Sequence, residues 1–323
     1  MVQAGLIPSP SRMRPLALLR ASRLGVLGDR ICLRDPRGRT RRPSLAPVPG
    51  TGDFEVWGDF TILQSFSISP SEGKAFVESS GDPNPIHVED SVVPGAMTAA
   101  RFLLVPEILI KGLAVRGLRV KFRAFSWYNR PSVNVYSVSL KKDGNLGVQL
   151  KSYQQGVLVA EGAISGSLGD PAPHGGTRRR VSASESAEVI RSFLRSVRVD
   201  PEGCFASLGA DYPRAFLAAL PPGEMVKMGG AGGLLNVLDL EFPDSSLPQI
   251  EQDPLPTAQV ERTRPRNSFQ KILAKVGSGI KTYCRGYATV LGAVVLGKTA
   301  LRRTELERAG LEKAGLPGLS TPT

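Results

Sequence analysis

The stretch TAARFLLVPEILIKGL, residues 98–113, restricts what this chain can fold into more than any other. Read as a helix, it places Ala99, Phe102, Leu103, Val105, Ile108, Leu109 and Ile110 nearly all the way round its axis. A helix that is apolar on every side has to be enclosed, not laid on a surface. Pro106 is expected to kink it. The residues that follow supply the enclosure. In GLRVKFRAF (117–125), Leu118, Val120, Phe122 and Ala124 alternate with Arg119, Lys121 and Arg123, which is the period of a strand with one apolar and one basic face. SVNVYSVSL (132–140), LGVQLKSY (146–153) and VLVAEGAI (157–164) read as three further strands, with turns at Asp143-Gly144 and Gln155-Gly156. Upstream, DFTILQSFSIS (59–69) reads as a strand and GKAFVESS as a short helical or extended piece. The layout is α+β, a long buried helix wrapped by a curled antiparallel sheet.

A second unit repeats this plan more loosely. Residues 169–184 have the composition of a linker. SAEVIRSFLRSV (186–197) reads as a helix, and 212–242 as a buried helical stretch broken by Pro and Gly. FQKILAKV (269–276), IKTYCRGYATV (280–290) and AVVLGKTAL (293–301) read as late strands. The chain therefore divides into a basic extension (1–53) expected to be disordered, a first domain (54–168), the linker (169–184), a second domain (185–303) and a charged tail (304–323).

The net charge of +12 sits at the two ends, with ten arginines against Asp29 and Asp35 in residues 1–50. The middle is net acidic and shows no basic stripe interleaved with aromatics, so the chain does not read as a nucleic-acid binder. No apolar run reaches the ~18 residues of a membrane span. The widely spaced Cys32, Cys204 and Cys284 show neither a disulfide framework nor metal-ligand spacing, which fits a reducing compartment. A cytoplasmic location is expected. The alternative is mitochondrial, because residues 1–28 lack acids until Asp29 and carry Arg12, Arg14, Arg20 and Arg23, a composition similar to a transit peptide.

Chemistry concentrates in GDPNPIH (81–87), which holds one of only two histidines in the chain. Pro83 and Pro85 stiffen the path and bias Asp82 and Asn84 toward extended conformations. Asp82 and His87 can then converge on one water, with the imidazole as the group whose pKa suits neutral pH. Asn84 can orient either partner. Gly95 stands just before the buried helix, where unpaired amides and the positive dipole end favour an oxygen that gains charge. The other histidine, His174, reads as a solvated linker residue. Arg178–Arg180 read as a solvated basic run or as a contact for phosphates or an acidic carrier.

Asp82-x-Asn84-Pro85-x-His87 followed by the Pro94-Gly95 helix entry resembles the MaoC-like, or hydratase 2, family of hotdog-fold proteins over residues 54–167. The resemblance implies reversible addition of water to trans-2-enoyl thioesters, giving (R)-3-hydroxyacyl thioesters in fatty-acid or polyketide metabolism. It implies Asp82 and His87 as the acid/base pair, Asn84 holding the loop, the Gly95 N–H as oxyanion hole, and Ala96 and Met97 against the substrate. It implies no metal and no redox cofactor, and an acyl-CoA or acyl-carrier-protein thioester as partner. Two departures stand out. Only residues 88–94 separate His87 from Gly95, and Pro94 replaces the histidine often found there. No histidine follows His174, so a second hotdog in residues 185–303 would be degenerate. The resemblance then implies a double hotdog, a pseudo-dimer within one chain that leaves homodimers open. Two other functions remain open, a hotdog thioesterase and an inactive acyl-thioester binder.

Overall fold

The computed structural model of the chain describes residues 17–19, 29–34, 44–47, 54–57, 59–82, 84–89, 91–140, 145–168, 181–229, 234–242, 247–251, 254–266, 269–276 and 280–287. In chain order the elements are β1 (Ala17–Leu19), β2 (Arg30–Arg34), β3 (Ser44–Pro47), β4 (Phe54–Trp57), β5 (Phe60–Phe66), α1 (Pro70–Ser80), α2 (Ile86–Glu89), α3 (Gly95–Leu109), β6 (Leu113–Phe122), β7 (Ser132–Leu140), β8 (Asn145–Gln154) and β9 (Val157–Leu168). They continue with α4 (Glu185–Ser196), α5 (Pro201–Leu208), α6 (Arg214–Gly229), β10 (Leu234–Glu241), β11 (Ala258–Arg266), β12 (Phe269–Val276) and β13 (Ile280–Tyr287).

The expected α+β layout is present. β1, β4 and β3 make a small antiparallel sheet. The other ten strands form one antiparallel sheet in the order β11-β12-β13-β10-β6-β9-β8-β7-β5-β2. The chain takes one route through it twice. Helix α3 leads into β6, a three-strand meander follows, and its last strand β9 returns beside β6. Helix α6 leads into β10, and the last strand of the next meander, β13, returns beside β10. The two runs meet where β10 pairs with β6, Leu240 opposite Leu118 and Leu238 opposite Val120.

Local chemistry accounts for the elements nearest the loop. Helix α1 has a complete capping box, with the Ser69 side chain on the Glu72 N–H and the Glu72 carboxylate on the Ser69 N–H, and Pro70 in its first turn. It ends at Gly81, whose φ of 68° is the left-handed conformation that suits glycine. Of the two forms expected for this piece, short helical or extended, it takes the helical one, an 11-residue capped helix. In β6, Leu118 and Val120 are buried and Arg119 and Lys121 are exposed, as the period of two requires.

Helix α3 begins three residues earlier than the sequence pattern indicates, and every residue after Gly95 is buried. It is not uniformly apolar. Arg101 donates to the Val197 carbonyl (2.6 Å), pairs with Asp29 and lies 3.9 Å over the Phe66 ring. Glu107 accepts from Arg214 Nη1 at 2.9 Å. Both charges are tolerated because each has a buried or half-buried partner on another element. Asp29 also meets Gln64 and Arg198. The extension expected to be disordered thus contributes a sheet strand, β2, paired with β5, and a buried carboxylate that reaches the central helix. His174, Arg178–Arg180 and the strand expected over 293–301 lie outside the described residues.

Candidate active site

The GDPNPIH loop follows directly from the end of α1. Asp82 N–H donates to the Val77 carbonyl (3.1 Å), and the Asp82 carboxylate turns back to accept the Asn84 N–H through Oδ1 at 3.0 Å. The Asn84 side chain repeats the device, its Oδ1 3.4 Å from the Ile86 N–H that opens α2. These two turns leave Asp82 Oδ2 facing His87 Nε2 at 3.5 Å. The loop is deeply set, with Asp82 5%, Asn84 1% and His87 6% exposed.

The other imidazole nitrogen, Nδ1, lies 2.9 Å from the Val92 carbonyl. A carbonyl only accepts, so Nδ1 carries the proton and the neutral ring presents a lone pair from Nε2 toward Asp82. Burial lowers the His87 pKa from its ordinary 6.5, outweighing the Asp82 charge and the Val92 bond that raise it. His87 therefore stays a neutral base near pH 7.

The short span from His87 to Gly95 is accommodated by pairing. Val93 N–H donates to the Ser126 carbonyl (2.8 Å), Val92 bridges Trp127, and Tyr128 N–H donates to the Ser91 carbonyl (3.0 Å). Tyr128 also donates its hydroxyl to the His87 carbonyl at 2.9 Å. Burial and then the Asp82 charge push the Tyr128 phenol up, which keeps it a donor. Sequence reasoning missed Tyr128, because an isolated tyrosine forty-one residues from its partner leaves no pattern.

Gly95 begins α3, and the helix ladder starts only at Met97 and Thr98, whose amides reach the Pro94 carbonyl at 3.0 and 3.4 Å. The Gly95 and Ala96 amides precede that ladder, the position where helices leave donors for other partners. Asp82, Asn84, His87, Gly95 and Ala96 all line one cavity of about 50 Å³. That is room for a few waters at ~10–15 Å³ each. Phe122 and Phe125 also line it. Pro222 and Leu235 reach it from α6 and β10, and a Cβ on Gly223 would stand 3.4 Å from Asp82 Cα. The second half thus packs directly on the loop. Met97, expected beside the substrate, is fully buried in the core and does not line the cavity. The rotation of α3 in its sheet turns Ala96 to the cavity and Met97 away from it.

No protein-family model matches the sequence, and no curated protein does. Among solved structures the chain is similar to HtdX from Mycobacterium tuberculosis, at TM-score 0.45 and 10% identity over 69% of this chain and 98% of that one. It is similar to a MaoC-like dehydratase at TM-score 0.48 and 7% identity, covering 71% and 97%. It is also similar to the (R)-hydratase from A. caviae involved in PHA biosynthesis at TM-score 0.31 and 22% identity, covering 34% and 94%. At these identities and TM-scores the likenesses decide neither family nor activity. Among the described residues no helix is long and apolar enough to cross a membrane.

Proposed function

We propose that this chain is an acyl-thioester hydro-lyase with a double hotdog fold, adding water reversibly to trans-2-enoyl thioesters to give (R)-3-hydroxyacyl thioesters. One observation carries the reading. Asp82 Oδ2 and His87 Nε2 lie 3.5 Å apart, and both residues line the same cavity as the first residues of a buried helix; with Nδ1 donating to the Val92 carbonyl, the neutral ring and the carboxylate present two acceptors to each other. Two acceptors side by side have no proton to share between them. They suit a water that donates one hydrogen to each and keeps a lone pair free for attack. The repeated route of helix, seam strand and returning meander supports the double fold.

The substrate is an acyl thioester carried by CoA or a carrier protein. Its oxygen sits at the Gly95 amide, whose helix-end position favours the negative charge of an enolate. The water oxygen bonds to C3, the C2–C3 π electrons move into the enolate, and one water proton passes to the Asp82–His87 pair. The pair returns a proton to C2, the enolate collapses, and the site is restored. Asn84 holds Asp82 by its own N–H and does not titrate.

Incubation with crotonyl-CoA, and in parallel with a long-chain enoyl-CoA, tests the reading. Loss of the conjugated enoyl absorbance without release of free thiol is expected. Free thiol would instead mean thioester hydrolysis, and neither signal would leave an acyl-thioester binder. Asp82→Asn and His87→Gln are each expected to lower hydration by roughly 10²–10⁴-fold, the usual share of a positioned acid or base. Hydration that survives intact in both variants would refute the mechanism.

A further inference from the structure

The imidazole of His87 is tied to a side chain that never reaches the cavity. His87 Nδ1–H donates to the Val92 carbonyl at 2.9 Å. The amide of that same peptide group, Val93 N–H, donates to the Ser126 carbonyl at 2.8 Å. The amide of this second peptide group, Trp127 N–H, donates to Gln154 Oε1 at 2.8 Å. Three hydrogen bonds in series, through two peptide groups, therefore join the imidazole to the last residue of β8.

The direction of every link is forced. Gln154 Nε2 faces three oxygens, the Trp127 carbonyl (3.0 Å), Ser132 Oγ (3.0 Å) and the Arg130 carbonyl (3.5 Å). The amide nitrogen must occupy that side, so the amide oxygen meets Trp127 N–H. Gln154 thus grips both the N–H and the C=O of Trp127 from a site only 4% exposed. Aligned amides polarise one another, and each dipole in this series turns its oxygen toward His87. Without Gln154 the 126–127 peptide loses its outer restraint, and the 92–93 peptide hangs from it.

We propose that Gln154 is a positioning residue for His87: the amide series that it terminates holds the imidazole in the Nδ1–H tautomer, with the Nε2 lone pair turned to Asp82 and the cavity. This rests on the reading of His87 as the site's base, but the property is measurable without substrate.

The test is ring-nitrogen NMR on the full chain labelled with ¹⁵N-histidine. Only His87 and His174 contribute, and His174→Ala assigns them. In the wild type, above its pKa, His87 is expected to show a protonated Nδ1 and a bare Nε2. Gln154→Met, which keeps length and bulk without the amide, is expected to draw the two ring-nitrogen shifts together as the second tautomer populates. It should also lower kcat for enoyl-thioester hydration roughly tenfold, about one hydrogen bond, with KM unchanged. Gln154→Glu keeps the acceptor for Trp127 N–H but turns an oxygen toward the Trp127 and Arg130 carbonyls, so it is expected to lower Tm and, in its folded form, to retain the wild-type shifts. Ser132→Ala removes a Gln154 contact outside the series and is expected to lower Tm while leaving the shifts in place. A wild-type His87 in the Nε2–H form overturns the proposal. So does a folded Gln154→Met with unchanged shifts. If that variant does not fold, Gln154→Asn, whose amide stops one methylene short of Trp127 N–H, takes its place, and unchanged shifts in it overturn the proposal. A chain that shows these shifts yet hydrates no enoyl thioester refutes the proposed activity and supports the amide series.

Discussion

Gly73 lies inside α1, where alanine is ordinarily the better residue. On helix propensity alone, Gly73→Ala stabilises by about 1 kcal/mol. The packing around it reverses the sign. A methyl there would overlap Tyr128 Oη, Cζ and Cε1. Tyr128 is 6% exposed, and it cannot swing away without giving up its bond to the His87 carbonyl. Overpacking of this kind costs about 1–3 kcal/mol. The lost hydrogen bond costs about 0.5–1.5 kcal/mol more. Against the helix gain, the net is a destabilisation of about 0.5–3.5 kcal/mol. Urea denaturation at fixed pH measures it as a lower midpoint with an unchanged slope. In a Tyr128→Leu background the hydroxyl and the far ring carbons are gone, so adding Gly73→Ala should cost less than it does alone. Hydration should also fall in Gly73→Ala, because the displaced phenol releases the His87 backbone. A wild-type background in which Gly73→Ala raises stability by about 1 kcal/mol, as propensity alone requires, would refute the packing argument.

Three further outcomes are expected. Asp29→Ala leaves Arg101 charged and buried without its carboxylate, so it should cost about 3–5 kcal/mol in chemical denaturation, and Arg101→Met in the same chain should recover part of it. A cost below about 1 kcal/mol would mean that the buried pair is not formed in solution. His87 binds its proton less readily folded than unfolded, because burial lowers its pKa below 6.5. As pH falls, the unfolded chain takes up that proton first, so stability declines as pH drops through about 6.5 and levels off below the folded pKa. Thermal melts across this range should show the decline in wild type minus His87→Gln, and a difference of opposite sign would contradict it. Leu235→Trp, which fills the cavity from β10, should raise KM for enoyl thioesters or abolish turnover while α1 and the GDPNPIH loop stay folded, and an unchanged KM would place the substrate elsewhere.

The strands of the first half were legible because their signal is local. Residues two apart share a face, so Leu118, Val120 and their basic neighbours declare both the strand and its buried side. The site loop was legible for a related reason. Two prolines, two turn-forming side chains and one histidine within seven residues restrict the backbone before any tertiary contact forms. Helix α1 was readable in principle from Ser69, Pro70 and Glu72, but Gly73 and the serines at its end weaken its propensity, and its low apolar content hides the face it buries.

What lay beyond the sequence is a set of pairings across long separations. Arg101 and Glu107 interrupt an apolar helix, and nothing near them in the chain says that Asp29 and Arg214 will neutralise them. Gln154 is an ordinary polar residue at a strand end until Trp127, 27 residues away, lies in its grip. Ala96 and Met97 are both apolar neighbours in the first turn of α3, and only the packing of that helix in its sheet sends one to the cavity and the other to the core. The sequence by itself determined the periods, the caps and the loop's stiffness, because those arise from dihedral preferences over a few residues. The tertiary structure alone decided which nitrogen of His87 carries the proton, because that depends on the Val92 carbonyl, whose peptide group is held in place by the Ser126 carbonyl far along the chain.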